Sequence, residues 1–160
     1  MTDGDFTPGT HEHPRSTAQI GGHPIHPMLI PFPIVGFIGA FVADVVFTMG
    51  GDPGWATASR WLLGVGLGFA VLAAATGLTD YLGNERIRRL SDALKHMLAN
   101  VAAVVLELVN FVLRIGNDDF IASTGVYISA VVALILLYSG WKGGDLVYKH
   151  GVGVHDRPGG

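Results

Sequence analysis

The stretch HMLANVAAVVLELVNFVLR, residues 96–114, decides how this chain folds. As a helix its apolar part, 97–113, is about 26 Å long, near the lower limit for crossing a hydrocarbon core. Its polar residues are ordered. His96, Asn100, Ala103, Glu107, Asn110 and Arg114 follow steps of four, three, four, three and four. That spacing lays one polar stripe along a single helix face. A charged side chain at mid-bilayer costs at least about 2.5–3.5 kcal/mol, so the stripe must turn away from lipid. A span with such a face needs other helices to cover it.

The rest of the chain supplies them. Apolar blocks at 28–49, 61–79 and 120–141 accompany the one at 97–113. A block of 22 residues makes a helix of about 33 Å, enough for a bilayer core of about 30 Å. The predicted architecture is all-α, an integral membrane four-helix bundle with both termini on one side. Composition agrees. The 160 residues are 49% hydrophobic and 14% charged, against about 25% charged in soluble domains. Residues 1–20, rich in Thr, Pro, Gly and His, read as a disordered arm. Residues 21–155 form the four-span domain and 156–160 a flexible tail. The first span is expected to remain uncleaved, because a long polar stretch with Asp3, Asp5 and Glu12 precedes it and Asp44 interrupts it.

Several function classes drop out. The absence of cysteine excludes disulfides, thiolate metal sites and covalently attached haem. A net charge of −3 offers no basic face to nucleic acid, so the lipid bilayer is the expected partner. Basic residues cluster in the second connection (Arg86, Arg88, Arg89, Lys95) and in the tail (Lys142, Lys149, Arg157). The positive-inside rule then puts both termini in the cytoplasm. All seven histidines, at 11, 13, 23, 26, 96, 150 and 155, fall at that end, and Asp80 ends the second span at the same level.

Glu107 lies well inside the third span, where it must be protonated or paired. Its nearest candidates are Arg114 and polar groups on other helices. The stripe reads as packing glue, each interhelical contact averaging about 0.6 kcal/mol, as a polar lining around a cofactor, or as a proton or ion relay lined by Asn100, Glu107, Asn110, Arg114 and Asp44. Gly36, Ala40 and Asp44, then Gly66, Ala70, Ala73, Gly77 and Asp80, then Gly125, Ser129, Ala133 and Gly140 form small-residue seams. Such seams let helix backbones approach closely.

GGHPIHPMLIPFP, residues 21–33, precedes the first span. His23 and His26 each stand before a proline, which favours extended geometry. In a polyproline helix the two rings would lie about 9 Å apart and could not clamp one ion together. Each would supply one ligand, with partners from His96 or His150. In the tail, Gly143 and Gly144 are expected to end the fourth helix. The segment after them would then fold back and carry His150 toward His23 and His96.

GHPIHPMLIPFPI, TGLTDYL, HMLAN and SGWKGGDLVYKHGVGV together resemble the domain-of-unknown-function 2231 family of bacterial membrane proteins, over about Gly22 to Val154. The resemblance implies a four-span inner-membrane protein. It also implies motif residues at His23, His26, Asp44, Asp80, His96, Asn100, Asp145 and His150. Association of some relatives with iron–sulfur redox proteins implies electron transfer and a redox partner. Pro31 departs from the pattern, since many members carry histidine there, and a ligand scheme using that position fails here.

Two function classes follow. In the first, His23, His26, His96 and His150 bind a redox cofactor (b-type haem), or the same histidines with Asp80 and Asp145 bind a transition-metal ion. In the second, the polar stripe serves a small transporter or sensor, which would need a homo-oligomer to enclose a pore. A structural subunit is the plain alternative. No nucleophile–base set stands out, so the chain reads as a binder or carrier rather than an enzyme.

Overall fold

The computed structural model describes residues 13–154. The chain enters the bundle through a small hairpin. Strand β1 (Gln19–Ile20) pairs antiparallel with β2 (His23–Pro24) across Gly21 and Gly22, both at positive φ (58° and 84°). A two-residue turn of that kind demands glycine-like backbone freedom at both positions. A short helix follows, α1 (Ile25–Leu29), and then α2 (Pro31–Gly50). This corrects the polyproline expectation. Pro27 occupies the first turn of α1, where a missing N–H breaks no helical bond, so His26 is helical.

GGDPGWATAS, residues 50–59, reads from sequence as a loop of strong helix breakers, but the α2–α3 connection is only Gly51 and Asp52. Gly51, at φ 70°, caps α2 with its N–H on Phe47 O at 2.7 Å. Asp52 caps α3 (Pro53–Gly83) by accepting from Gly54 N, and Pro53 sits at the first helical position. The breakers act as caps, which is their lowest-energy use. Asn84 then caps α4 (Glu85–Arg88), which leads into α5 (Ser91–Arg114). Short α6 (Asp118–Phe120) runs through a π-turn at Ile121–Gly125 into α7 (Val126–Gly144), and a second π-turn covers Asp145–Lys149. Gly143 and Gly144 therefore do not end the fourth helix. Gly143 is a packing residue: a Cβ there would lie 3.2 Å from the His96 ring.

Four helical segments, Ile25–Gly50, Pro53–Gly83, Ser91–Arg114 and Asp118–Lys149, are long and apolar enough to cross a membrane. They close into a ring in which α2 packs on α3 and α7, and α5 on α3 and α7. A close α2–α3 crossing lies at Gly36, where a Cβ would fall 2.7 Å from Gly66 Cα. Backbone contact of this kind lets two apolar helices gain packing energy when lipid offers no hydrophobic drive. The molecule is an integral membrane four-helix bundle with both termini at one end. Large apolar side chains cover its outside, Leu98, Val101, Val105, Leu108 and Val112 of α5 among them.

Its interior is layered. Phe37, Ala40, Leu63, Leu67, Ala70, Ala103 and Val132 make an apolar middle, with polar groups packed at both ends. Ala103, the one apolar member of the α5 stripe, belongs to that middle layer.

Candidate functional site

The stripe read from α5 faces inward, with Ala103, Glu107, Asn110 and Arg114 fully buried and His96 and Asn100 half-buried. The apolar layer divides it into two sites.

At the end away from the termini, Arg114 meets Asp44 of α2 in a two-pronged pair: Nη1 to Oδ1 at 2.9 Å and Nη2 to Oδ2 at 3.0 Å. Both side chains are 0% exposed. Three neighbours complete the shell. Ser59 of α3 bonds Asp44 Oδ1 and accepts from Arg114; Ser129 of α7 donates to Asp44 Oδ2 at 2.7 Å. Asn110 Oδ1 accepts from Arg114 Nη2 at 2.7 Å. The amide of Asn110 then donates to Glu107 Oε2 at 2.9 Å and to Ser129 Oγ at 3.0 Å. A carboxylate and a guanidinium thus cancel charge inside the bundle, each with further hydrogen bonds, the condition under which buried ions are tolerated.

Glu107 does not pair with Arg114, two turns along the same helix at about 10 Å in rise. Arg114 reaches across to another helix instead. Glu107 Oε1 and Arg114 Nε have no partner among the described residues. Gly125, in the π-turn, makes room for this cluster, since a Cβ there would stand 3.2 Å from both Arg114 Nη2 and Asn110 Oδ1. Local π-turns often occur where a helix must adapt to a site.

At the end that carries the termini, His26 and His96 come together from α1 and α5, ring centroids 6.1 Å apart and planes nearly perpendicular. Each Nδ1 is fixed on a backbone carbonyl: His26 on Ala73 O and His96 on Ser139 O, both at 2.8 Å. A carbonyl only accepts, so each Nδ1 bears a proton, and the neutral form of each ring has its lone pair on Nε2. The Asn100 amide sits 3.1 Å from His96 Nε2 and also donates to His96 O at 2.9 Å. Both rings lie in glycine notches, since a Cβ at Gly77 would meet His26 Nδ1 at 2.9 Å and one at Gly143 would meet His96 Cε1 at 3.2 Å.

The other residues singled out from sequence go elsewhere. His23 is exposed in β2. His150 bonds Asp92 Oδ2 through Nε2 at 3.1 Å, and Lys142 bridges Asp92 and Asp145 at 3.1 and 2.8 Å. The tail does fold back, with Val152 N on Leu146 O and Gly153 N on Pro14 O, but it delivers His150 to Asp92. Asp80 Oδ1 accepts from Ser16 Oγ (2.8 Å), Thr17 N (2.7 Å) and Ala18 N (2.7 Å). Residues 16–18 are therefore tied to the end of α3; residues 1–12, with His11, and 155–160, with His155, lie outside the described residues. Among the described residues no three His, Asp or Glu converge as a metal cage, so the four-histidine set with Asp80 and Asp145 does not assemble as one site.

Sequence reasoning missed Ser59, Ser139 and Asp92. Ser59 lies on the same face as Ala56, Leu63, Gly66, Ala70 and Ala73, so extending the small-residue seam upstream would have found it.

The model of the DUF2231 family, described as "predicted membrane protein", matches residues 22–156. The chain belongs to that family. Comparison with curated proteins and with solved structures finds no match.

Proposed function

We propose that this DUF2231 protein is a bacterial inner-membrane component, with both termini in the cytoplasm, that holds a metal centre on His26 and His96 for electron transfer. One observation carries the reading: both imidazoles have Nδ1 tied to a carbonyl of another helix, leaving Nε2 as the ligating atom. That outer hydrogen bond is the usual device that orients a metal-binding histidine and fixes its tautomer. With metal–nitrogen bonds of about 2.1 Å, two ligated rings have centroids roughly 5–6.5 Å apart, a range that includes 6.1 Å.

Two metal centres share this chemistry. A b-type haem needs two axial imidazoles and no further protein ligand. A transition-metal ion would complete its shell with water or small ligands. Either requires the Asn100 amide to leave His96 Nε2, and its second bond to His96 O gives it a place to stay. His23, His150, Asp80 and Asp145 fall outside this centre, the last three because other groups already hold them. A redox protein would dock at the same cytoplasmic end. The apolar layer around Ala103 counts against a continuous ion path through the bundle.

The test is the visible spectrum of the purified protein, oxidised and reduced, with metal analysis. The reading expects a Soret band or bound metal that His26→Ala and His96→Ala each remove and that His23→Ala and His150→Ala leave. A Soret band identifies haem, and its absence with bound metal identifies the ion. Colourless, metal-free protein that takes up neither haemin nor cobalt, copper or zinc overturns it.

A further inference from the structure

The end of the bundle away from the termini carries a feature unrelated to the histidines. Two clefts adjoin there and share Arg60 and Ile115. The first, about 570 Å³, is polar and edged by Asn117 of the α5–α6 turn and by Asp118 and Asp119 of α6. The second, about 410 Å³, is apolar and continues along α3 past Trp61, Gly64 and Val65, with Phe111 of α5 as its other wall. Gly64 keeps that wall close, since a Cβ there would lie 3.3 Å from the Phe111 ring. A larger side chain would fill the groove.

Arg60 stands at the junction. It pairs with Asp118 and donates to Thr57 Oγ1 at 3.2 Å. A guanidinium has five N–H donors, so three are left beyond these two bonds. Asp118 cancels the charge of Arg60, and Asp119 makes no ion pair among the described residues, which leaves one negative charge over at the polar end. Trp61 is 72% exposed beside the groove and Trp55 is exposed one turn and a half above it. Such rings mark the level of lipid headgroups.

An amphipathic ligand fits this order of surfaces: chain in the groove, phosphate at Arg60, cation at the acidic turn. We propose that the double cleft binds a zwitterionic phospholipid bearing a primary ammonium, with its phosphate on the free donors of Arg60, its ammonium on Asp119 and an acyl chain along Trp61, Gly64 and Phe111. The excess negative charge selects against anionic headgroups. The ammonium donates three hydrogen bonds to carboxylate, whereas a quaternary choline head donates none.

Native mass spectrometry of the full chain, released from mixed micelles with phosphatidylethanolamine, phosphatidylcholine or phosphatidylglycerol, tests this. The ethanolamine lipid should be retained about tenfold better than the choline lipid, the worth of one charge-assisted hydrogen bond. Asp119→Asn, a change at an exposed position of the short α6 that leaves the four long helices intact, should abolish that preference. Gly64→Leu should lower retention of the ethanolamine lipid at least several-fold. Equal retention of the three lipids, a preference for phosphatidylglycerol, a preference that survives Asp119→Asn, or ethanolamine-lipid retention unchanged by Gly64→Leu would overturn the proposal.

Discussion

The Asp44–Arg114 pair offers the most direct test of how the bundle is held together. Both groups are 0% exposed and meet through two hydrogen bonds of 2.9 and 3.0 Å. Asp44→Asn leaves the guanidinium among neutral acceptors, namely Ser59, Ser129 and Asn110. Arg114→Met leaves the Asp44 carboxylate with the hydroxyls of Ser59 and Ser129 alone. Orphaning one partner of a buried pair costs about 3–5 kcal/mol, because the remaining charge stays desolvated. Removing both charges together is often near neutral, so the double variant should lie within about 2 kcal/mol of the parent. The coupling energy should then reach at least about 3 kcal/mol, the top of the usual range. Ordinary polar contacts between membrane helices average about 0.6 kcal/mol, so the two possibilities are well separated. Reversible unfolding by dodecyl sulfate in mixed micelles, followed by tryptophan fluorescence and circular dichroism, measures all four proteins. Additive single effects, or a coupling below about 1 kcal/mol, would mean that the pair behaves as a solvated surface pair, and the reasoning from burial would fail.

Three further outcomes are expected. Asp80→Ala removes the acceptor of three hydrogen bonds to Ser16, Thr17 and Ala18, so trypsin should cut after Arg15 at least about tenfold faster while the helices stay folded; an unchanged rate would show that the arm is held by something else. Gly36→Ala forces a Cβ to within 2.7 Å of Gly66 Cα and should destabilise the bundle by about 1–3 kcal/mol in the same unfolding assay, with a neutral result refuting close α2–α3 contact. A reporter fused after the tail should read cytoplasmic and one inserted at Gly51 should read the opposite side; a periplasmic tail would overturn the orientation assigned from Arg86, Arg88 and Arg89.

The α5 stripe was legible because helical spacing and the cost of charge in lipid are both local properties. Four spans, a shared end for the termini and an inward Glu107 follow from them. The partners of that stripe were less legible. Arg114 lies seven residues from Glu107 and seventy from Asp44, yet it pairs with Asp44, because a side chain two turns along a helix is farther away than one on a neighbouring helix at a close crossing. The glycines show the same division. Gly21 and Gly22 make a hairpin turn, Gly51 a cap, Gly77 and Gly143 notches for histidine rings. One residue type carries three meanings, and only its neighbours tell which applies.

The histidines mark where sequence reasoning stops. Their common end follows from the number of spans alone. Which of them meet does not, because that depends on the last few ångströms of backbone path. A two-glycine turn sends His23 outward and His26 onto α3, and a helix that continues through Gly143 and Gly144 carries His150 to Asp92. Hydropathy and helical period thus determined the membrane bundle and its polar face, since each depends on a residue and its near neighbours in the chain. Tertiary packing alone decided the Asp44–Arg114 pair, the His26–His96 pair and the arm held by Asp80, since each joins side chains that only the crossing of helices brings within hydrogen-bonding or ring-contact range.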